Sequence, residues 1–124
     1  MKVISTEKAP AAIGPYSQGI VAGDFFASGQ IAIIPETGEI AEATIEAQTE
    51  QVMKNIGNLL AAAGADYSKV VKTSCFLADM GDFGTFNEIY AKYFTSKPAR
   101  SCVAVKTLPK NVLCEVEVIA YLGE

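Results

Sequence analysis

Apolar and polar positions alternate with period two along most of this chain, and twice the period lengthens to that of a helix. Residues 2–6 read as a short edge strand, followed by the loop APAAIGPYSQG, which prolines and glycines punctuate. Residues 17–22 and 25–33 read as two further strands, with Gly23-Asp24 between them as a two-residue hairpin turn. The PETG segment at 35–38 is another turn, its proline suited to the first corner and its glycine to a left-handed exit. From 44 to 63, Ile45, Val52, Ile56, Leu59, Leu60 and Ala63 fall on one side of a helix. Thr44 suits its N-cap and Gly64 its stop. Gly57 inside this helix costs about 1 kcal/mol against alanine, and its small size is expected to let the helix approach the sheet closely.

Residues 69–78, KVVKTSCFLA, read as a strand in which Val71, Thr73, Cys75 and Leu77 point one way and Lys72, Ser74 and Phe76 the other. Asp79 and Asp82 are alternative caps for a second helix over 83–94, whose apolar stripe is Phe83, Phe86, Ile89, Tyr90 and Tyr93. Pro98 blocks further helix, and strands follow at 100–107 and 112–122. The order is β-β-β-α-β-α-β-β. It predicts a single α+β domain over residues 1–124, one sheet with its helices on one side.

The last two strands raise the functional question. Cys114, Val116, Val118, Ala120 and Leu122 share an apolar face that belongs under the helices. Leu113, Glu115, Glu117, Ile119 and Tyr121 share the other, half polar and half greasy. A solvated face seldom carries Leu, Ile and Tyr, and a core face seldom carries Glu, so the mixture suits a surface covered by another subunit. In the preceding strand Val103 and Val105 suit the helix side, with Arg100, Cys102 and Ala104 opposite. On that parity Arg100 and Glu115 would line one cavity. The plainer reading stays open beside it: Arg100 as a solvated loop cation after Pro98, and Glu115 on an exposed strand face.

Composition narrows the chemistry. The chain has 124 residues, 50% hydrophobic and 19% charged, which suits one folded domain and excludes disorder. A net charge of −4 argues against nucleic-acid and anionic-membrane partners. Cys75, Cys102 and Cys114 form no CxxC and sit in apolar runs, as reduced thiols of a cytoplasmic protein do. The N-terminal segment lacks an apolar core of signal-peptide length, and no apolar run is long enough to span a bilayer. With no histidine, imidazole-based triads and His-ligated zinc are excluded. There is no GxxxxGK[ST] and no GxGxxG, so no nucleotide cofactor is expected. Catalysis must rest on carboxylates, arginine, tyrosine, hydroxyls and backbone groups.

The segment ARSCVAVKTLPKNVLCEVEVIA at 99–120 resembles the C-terminal signature of the Rid (YjgF-type) family. IGPYSQG at 13–19, FFASGQIAI at 25–33 and DFGTFNEIYAKYF at 82–94 resemble that family's other landmarks in the same order, so the resemblance covers essentially the whole chain. It implies a mixed sheet with two helices on one face, like the Bacillus-type chorismate mutase, with the last strand inserted mid-sheet. It implies a homotrimer with clefts between subunits; on the charge and motif grounds above, no cofactor and no nucleic-acid or membrane partner are expected. The implied activity is hydrolysis of 2-iminobutanoate and 2-iminopropanoate to the 2-oxo acid and ammonia. By the same resemblance Arg100 holds the substrate carboxylate and Glu115 lies near the reacting carbon, where a carboxylate is expected to orient the water or take its proton. Cys102 presents backbone groups, Ser28 and Gly29 close the cleft, Tyr16 comes from the neighbouring subunit, and Asn87 lies nearby. The alternative is a non-enzymatic trimeric binder of small carboxylates. A ribonuclease-like reading fits poorly with an acidic chain lacking histidine.

Overall fold

The computed structural model describes residues 1–123. Six strands form one sheet in the order β1-β2-β3-β6-β4-β5. They are β1 (Lys2–Ile4), β2 (Gly19–Ala22), β3 (Phe25–Ile31), β4 (Val70–Leu77), β5 (Ala99–Ala104) and β6 (Cys114–Tyr121). The helices are α1 (Ile45–Ala62) and α2 (Phe83–Tyr93). Among the described residues only β4 and β5 run parallel; every other strand pairing is antiparallel, so the sheet is mixed. The final strand lies mid-sheet between β3 and β4, as the family resemblance implies. The described residues contain no helix long and apolar enough to cross a membrane.

Local chemistry sets most boundaries. The Thr44 hydroxyl accepts the Ala47 amide at 3.1 Å and caps α1, which exits through Gly64 at φ 78°. Asp79, not Asp82, supplies the second cap: its carboxylate accepts from the Gly81 amide at 2.7 Å and starts a 3-10 turn that runs into α2. Gly57 makes room for Tyr67 and not for the sheet, because a Cβ there would lie 3.1 Å from the Tyr67 ring. The Tyr67 hydroxyl donates to the Met53 carbonyl on the same helix.

Both helices cover one face of the sheet. Phe26, Val116, Val118, Ala120, Cys75 and Leu77 pack there against Val52, Ile56, Leu59 and Phe86, all essentially inaccessible. The polar groups under this cover are partnered. Thr73 and Tyr90 share a 2.7 Å hydroxyl–hydroxyl bond that ties β4 to α2. Asn55 donates to the carbonyls of Ile31 and Ile33.

Two strand parities differ from the alternation pattern. A bulge between Val70 and Lys72 turns Val70 inward and leaves Val71 45% exposed. On β5, Arg100 and Cys102 pair with Thr73 and Cys75, so they share the helix face. Val103, expected to face the helices, points to the other side and is 48% exposed. The reason is position: β5 is the sheet's edge, where the helix layer ends, so apolar content no longer reports which side is covered.

Candidate active site

Arg100 stands at the edge of the helix layer on β5. Its guanidinium carbon lies 4.8 Å from the Tyr90 ring centroid and 5.5 Å from that of Phe83, both on α2. One guanidinium nitrogen donates to Asn87 Oδ1 at 2.7 Å. Asn87, Tyr90 and Phe83 thus hold the side chain from one side, and the buried Thr73–Tyr90 bond fixes the ring beneath it. Among the described residues Arg100 forms no salt bridge with a carboxylate. A guanidinium has five N–H donors and cannot lose its charge, so most of this one's donors remain available to an anion. It lines a cleft of about 480 Å3 with Asn87, Tyr90, Lys97 and Pro98, giving a pocket with two cations and an apolar wall.

Cys102 lies on the same face, beside Cys75. Burial raises its thiol above the usual range despite the neighbouring Arg100 charge, and Cys75 is pushed up to about 12 for the same reason. Both are thiols, not thiolates, at neutral pH, so neither is primed as a nucleophile.

The opposite face holds the second group. Glu115 pairs with Ile31 and with Phe76, and Glu117 with Gly29 and Ser74. Gly29 leaves a gap that both carboxylate side chains overhang. A Cβ there would lie 3.4 Å from Glu117 Cγ and 3.9 Å from Glu115 Oε2. Burial, then the like charge of Glu117, raises the Glu115 carboxyl above the ordinary range. Tyr16 is 56% exposed and lines a cleft of about 230 Å3 with Gly29, Ile31, Pro109 and Lys110. Its hydroxyl accepts from the Ile13 amide, and its ring packs over Gly14.

The single chain therefore makes two half-sites. Arg100, Asn87 and Cys102 share the helix face; Gly29 and Glu115 lie on the open face with Tyr16 at their border. By register, Arg100 and Glu115 are two strands and three residues apart, roughly 10 Å each way, and on opposite faces. The expectation that they line one cavity within a chain is corrected, and the cause is the misread parity of β5. Ser28 differs as well. Its side chain turns under the helices, where its hydroxyl donates to the Gln18 carbonyl at 2.5 Å, so only its backbone can face the cleft.

Gln18 is a residue whose role the alternation pattern did not show. Its amide takes the Thr6 N–H and donates to the carbonyls of Thr6, Ala9 and Pro10, pinning the loop that carries Tyr16. Its place in the GPYSQ motif, directly after Tyr16 and Ser17, was the available signal.

A mixed sheet with an inserted final strand, an aromatic-backed arginine and an overhung glycine define a class that comparison with known proteins identifies. The chain belongs to the Ribonuc_L-PSP family, described as endoribonuclease L-PSP, whose model matches residues 6–122; YjgF and Rid proteins are members. It is 58% identical over 123 residues to Reactive Intermediate Deaminase A, chloroplastic, of Arabidopsis thaliana, covering 98% of this chain and 66% of that protein. It is 49% identical over 124 residues to the 2-iminobutanoate/2-iminopropanoate deaminase of Mus musculus, covering 98% of this chain and 92% of the relative. The crystal structure of E. coli TdcF with bound serine superposes with a TM-score of 0.92 at 41% identity, covering 98% of both chains.

Proposed function

We propose that this protein is a cytoplasmic deaminase of 2-imino acids, working at clefts between the subunits of a homotrimer. Arg100 of one chain meets Glu115, Gly29 and Tyr16 of the next. The observation that carries this reading is Arg100 itself: a half-buried guanidinium oriented by Asn87 and two rings, with its other donors turned to a cleft. The names of the Arabidopsis and mouse relatives supply the reaction, and serine bound to TdcF supports a small amino-acid-like ligand. The split between faces supports assembly, because no single chain can present both groups to one ligand. The open face also offers apolar surface to a neighbour: Phe25 is 50%, Val103 48% and Ile119 41% exposed.

The chemistry asks little of the protein. A protonated imine is already electrophilic at carbon. Arg100 takes the substrate carboxylate through two parallel hydrogen bonds. Water attacks the imine carbon, the C–O bond forms, and the C=N π electrons move to nitrogen while the Glu115 carboxylate removes a water proton. Glu115 then returns that proton to the amino nitrogen. The C–N bond breaks and releases ammonia, the carbinol oxygen closes the C=O bond and gives its proton by way of Glu115 to that ammonia, and a 2-oxo acid and ammonium leave. A carboxyl raised above its ordinary range suits both halves of this exchange.

The test supplies imine from threonine with a pyridoxal-phosphate dehydratase and traps the free portion with semicarbazide. The protein should hasten 2-oxobutanoate release and lower the semicarbazone yield. Unchanged kinetics would refute the deaminase reading, and carboxylate binding without turnover would select the non-enzymatic binder, which needs only the Arg100 half. Glu115→Gln should lower kcat by about 10²–10⁴-fold with ligand binding retained.

A further inference from the structure

We infer that Glu117 is a positioning residue for Glu115: its charge, facing the same gap above Gly29, keeps Glu115 able to carry a proton through the reaction. The inference rests on the deaminase reading for its purpose, but not for its test. Glu117 follows Glu115 by two positions on β6, so the side chains leave the sheet on one side, roughly 7 Å apart at their origins. The position opposite Glu117 on β3 is Gly29, and a Cβ there would touch both glutamates. Nothing on β3 separates them.

Among the described residues the other charged groups on this face are lysines that pair with neither glutamate. On β4, Lys72 pairs with Ile119, and its ammonium donates to the Thr73 carbonyl at 2.8 Å and at 3.1 Å to the hydroxyl of Ser74, the cross-strand partner of Glu117, so its charge stands nearer Glu117 than Glu115. Phe76, beside Glu115, is apolar, and Tyr121 lies further along β6. Lys110 lines the adjoining cleft with Gly29 and Ile31. Neither lysine forms a salt bridge with either glutamate among the described residues. In the proposed assembly Arg100 of the partner subunit adds a cation, which the substrate carboxylate neutralises on binding. Burial and the Glu117 charge then act together on Glu115, in the direction already seen in the isolated chain.

A catalyst that must remove a proton from water and return it to nitrogen needs a carboxyl that binds protons more tightly than a solvated glutamate. Like charge at short range supplies this without removing Glu115 from water altogether. It also gives the second glutamate on this face a function.

The experiment is a carbon-13 NMR titration of glutamate carboxyls in the intact protein, with the Glu115 signal assigned by its loss in Glu115→Gln. In Glu117→Gln the Glu115 midpoint should move to lower pH, and in Glu117→Asp it should return toward the wild-type value. The acidic limb of kcat/KM should move the same way in Glu117→Gln, with KM unchanged. A Glu115 midpoint that stays put in Glu117→Gln while the protein remains folded overturns the inference, whatever the activity. Should Glu117→Gln fail to fold, Glu117→Ala, which also removes the charge, takes its place, and a Glu115 midpoint at the wild-type pH there overturns the inference. Loss of imine hydrolysis in the wild type overturns the deaminase reading and leaves the titration result standing.

Discussion

Along β6, alternate residues meet opposite fates. Val116, Val118 and Ala120 are at most 1% exposed beneath the helices, where every neighbour is apolar or hydrogen-bonded. Glu115, Glu117, Ile119 and Tyr121 face the side away from both helices and are half-buried or exposed. The covered face is finished by the chain itself, while the open one combines carboxylates with 41% exposed Ile119 and 50% exposed Phe25. A face that mixes groups in this way is poor as solvent surface and poor as core. It is well suited to a junction, where apolar residues bury against a neighbour and the acids line what space remains.

The comparison breaks most readily on stability. Phe86→Ala, on the covered side with no exposed surface, should cost about 3–5 kcal/mol, read as a lowered urea midpoint. Ile119→Ala should cost far less in the folded chain, yet weaken association of the proposed trimer in sedimentation experiments. Equal costs would mean that the two faces are not different in kind.

Arg100→Lys sharpens the contrast between half-sites. Lysine retains charge but loses the fork and the flat contact with Tyr90. Apparent KM for the imine should rise about tenfold, equivalent to one charge-assisted hydrogen bond of about 1.5 kcal/mol, with a smaller change in kcat. An unaltered KM would remove Arg100 from carboxylate binding.

The smallest effect separates two glutamates by the sign of their pH dependence. On the helix side, burial works against the ionised form of Glu50, but the Tyr93 hydroxyl at 2.8 Å and Lys92 at 3.2 Å outweigh it and lower its pKa. Its stabilisation is present above the ordinary glutamate range and is lost as pH falls through the folded value. Glu115 is raised, first by burial and then by Glu117. Its contribution is full below the ordinary range and is lost as pH rises through the folded value. Urea titrations at fixed protein concentration should show Glu50→Gln most damaging near neutrality. The stability of Glu115→Gln relative to wild type should improve as pH rises. Slopes of the same sign would show that the two environments are alike.

Much of this was legible in residue order. The two helices, the hairpin at Gly23, the Thr44 cap and the parity of β6 follow from local periodicity and turn chemistry. Gly57 was recognisable as an exception but not what it accommodates, since Tyr67 reaches it from beyond the end of α1. The bulge at Val70–Lys72 left no mark, because either valine fills an apolar position equally well. The residue types of the candidate site could be chosen by chemistry and by family resemblance, but their arrangement could not.

Period and punctuation act within a few residues, so the sequence alone determined which segments are strands and helices and which side of β6 is core. It also determined that any catalysis by this histidine-free chain does without imidazole. Tertiary structure decided what depends on partners distant in the chain. It placed β6 between β3 and β4, ended the helix layer at the β5 edge, and so turned Arg100 toward Tyr90 and Asn87 instead of toward Glu115. A side chain's face follows from its strand's parity, but which face is covered depends on where the helices stop, and no local pattern encodes that boundary.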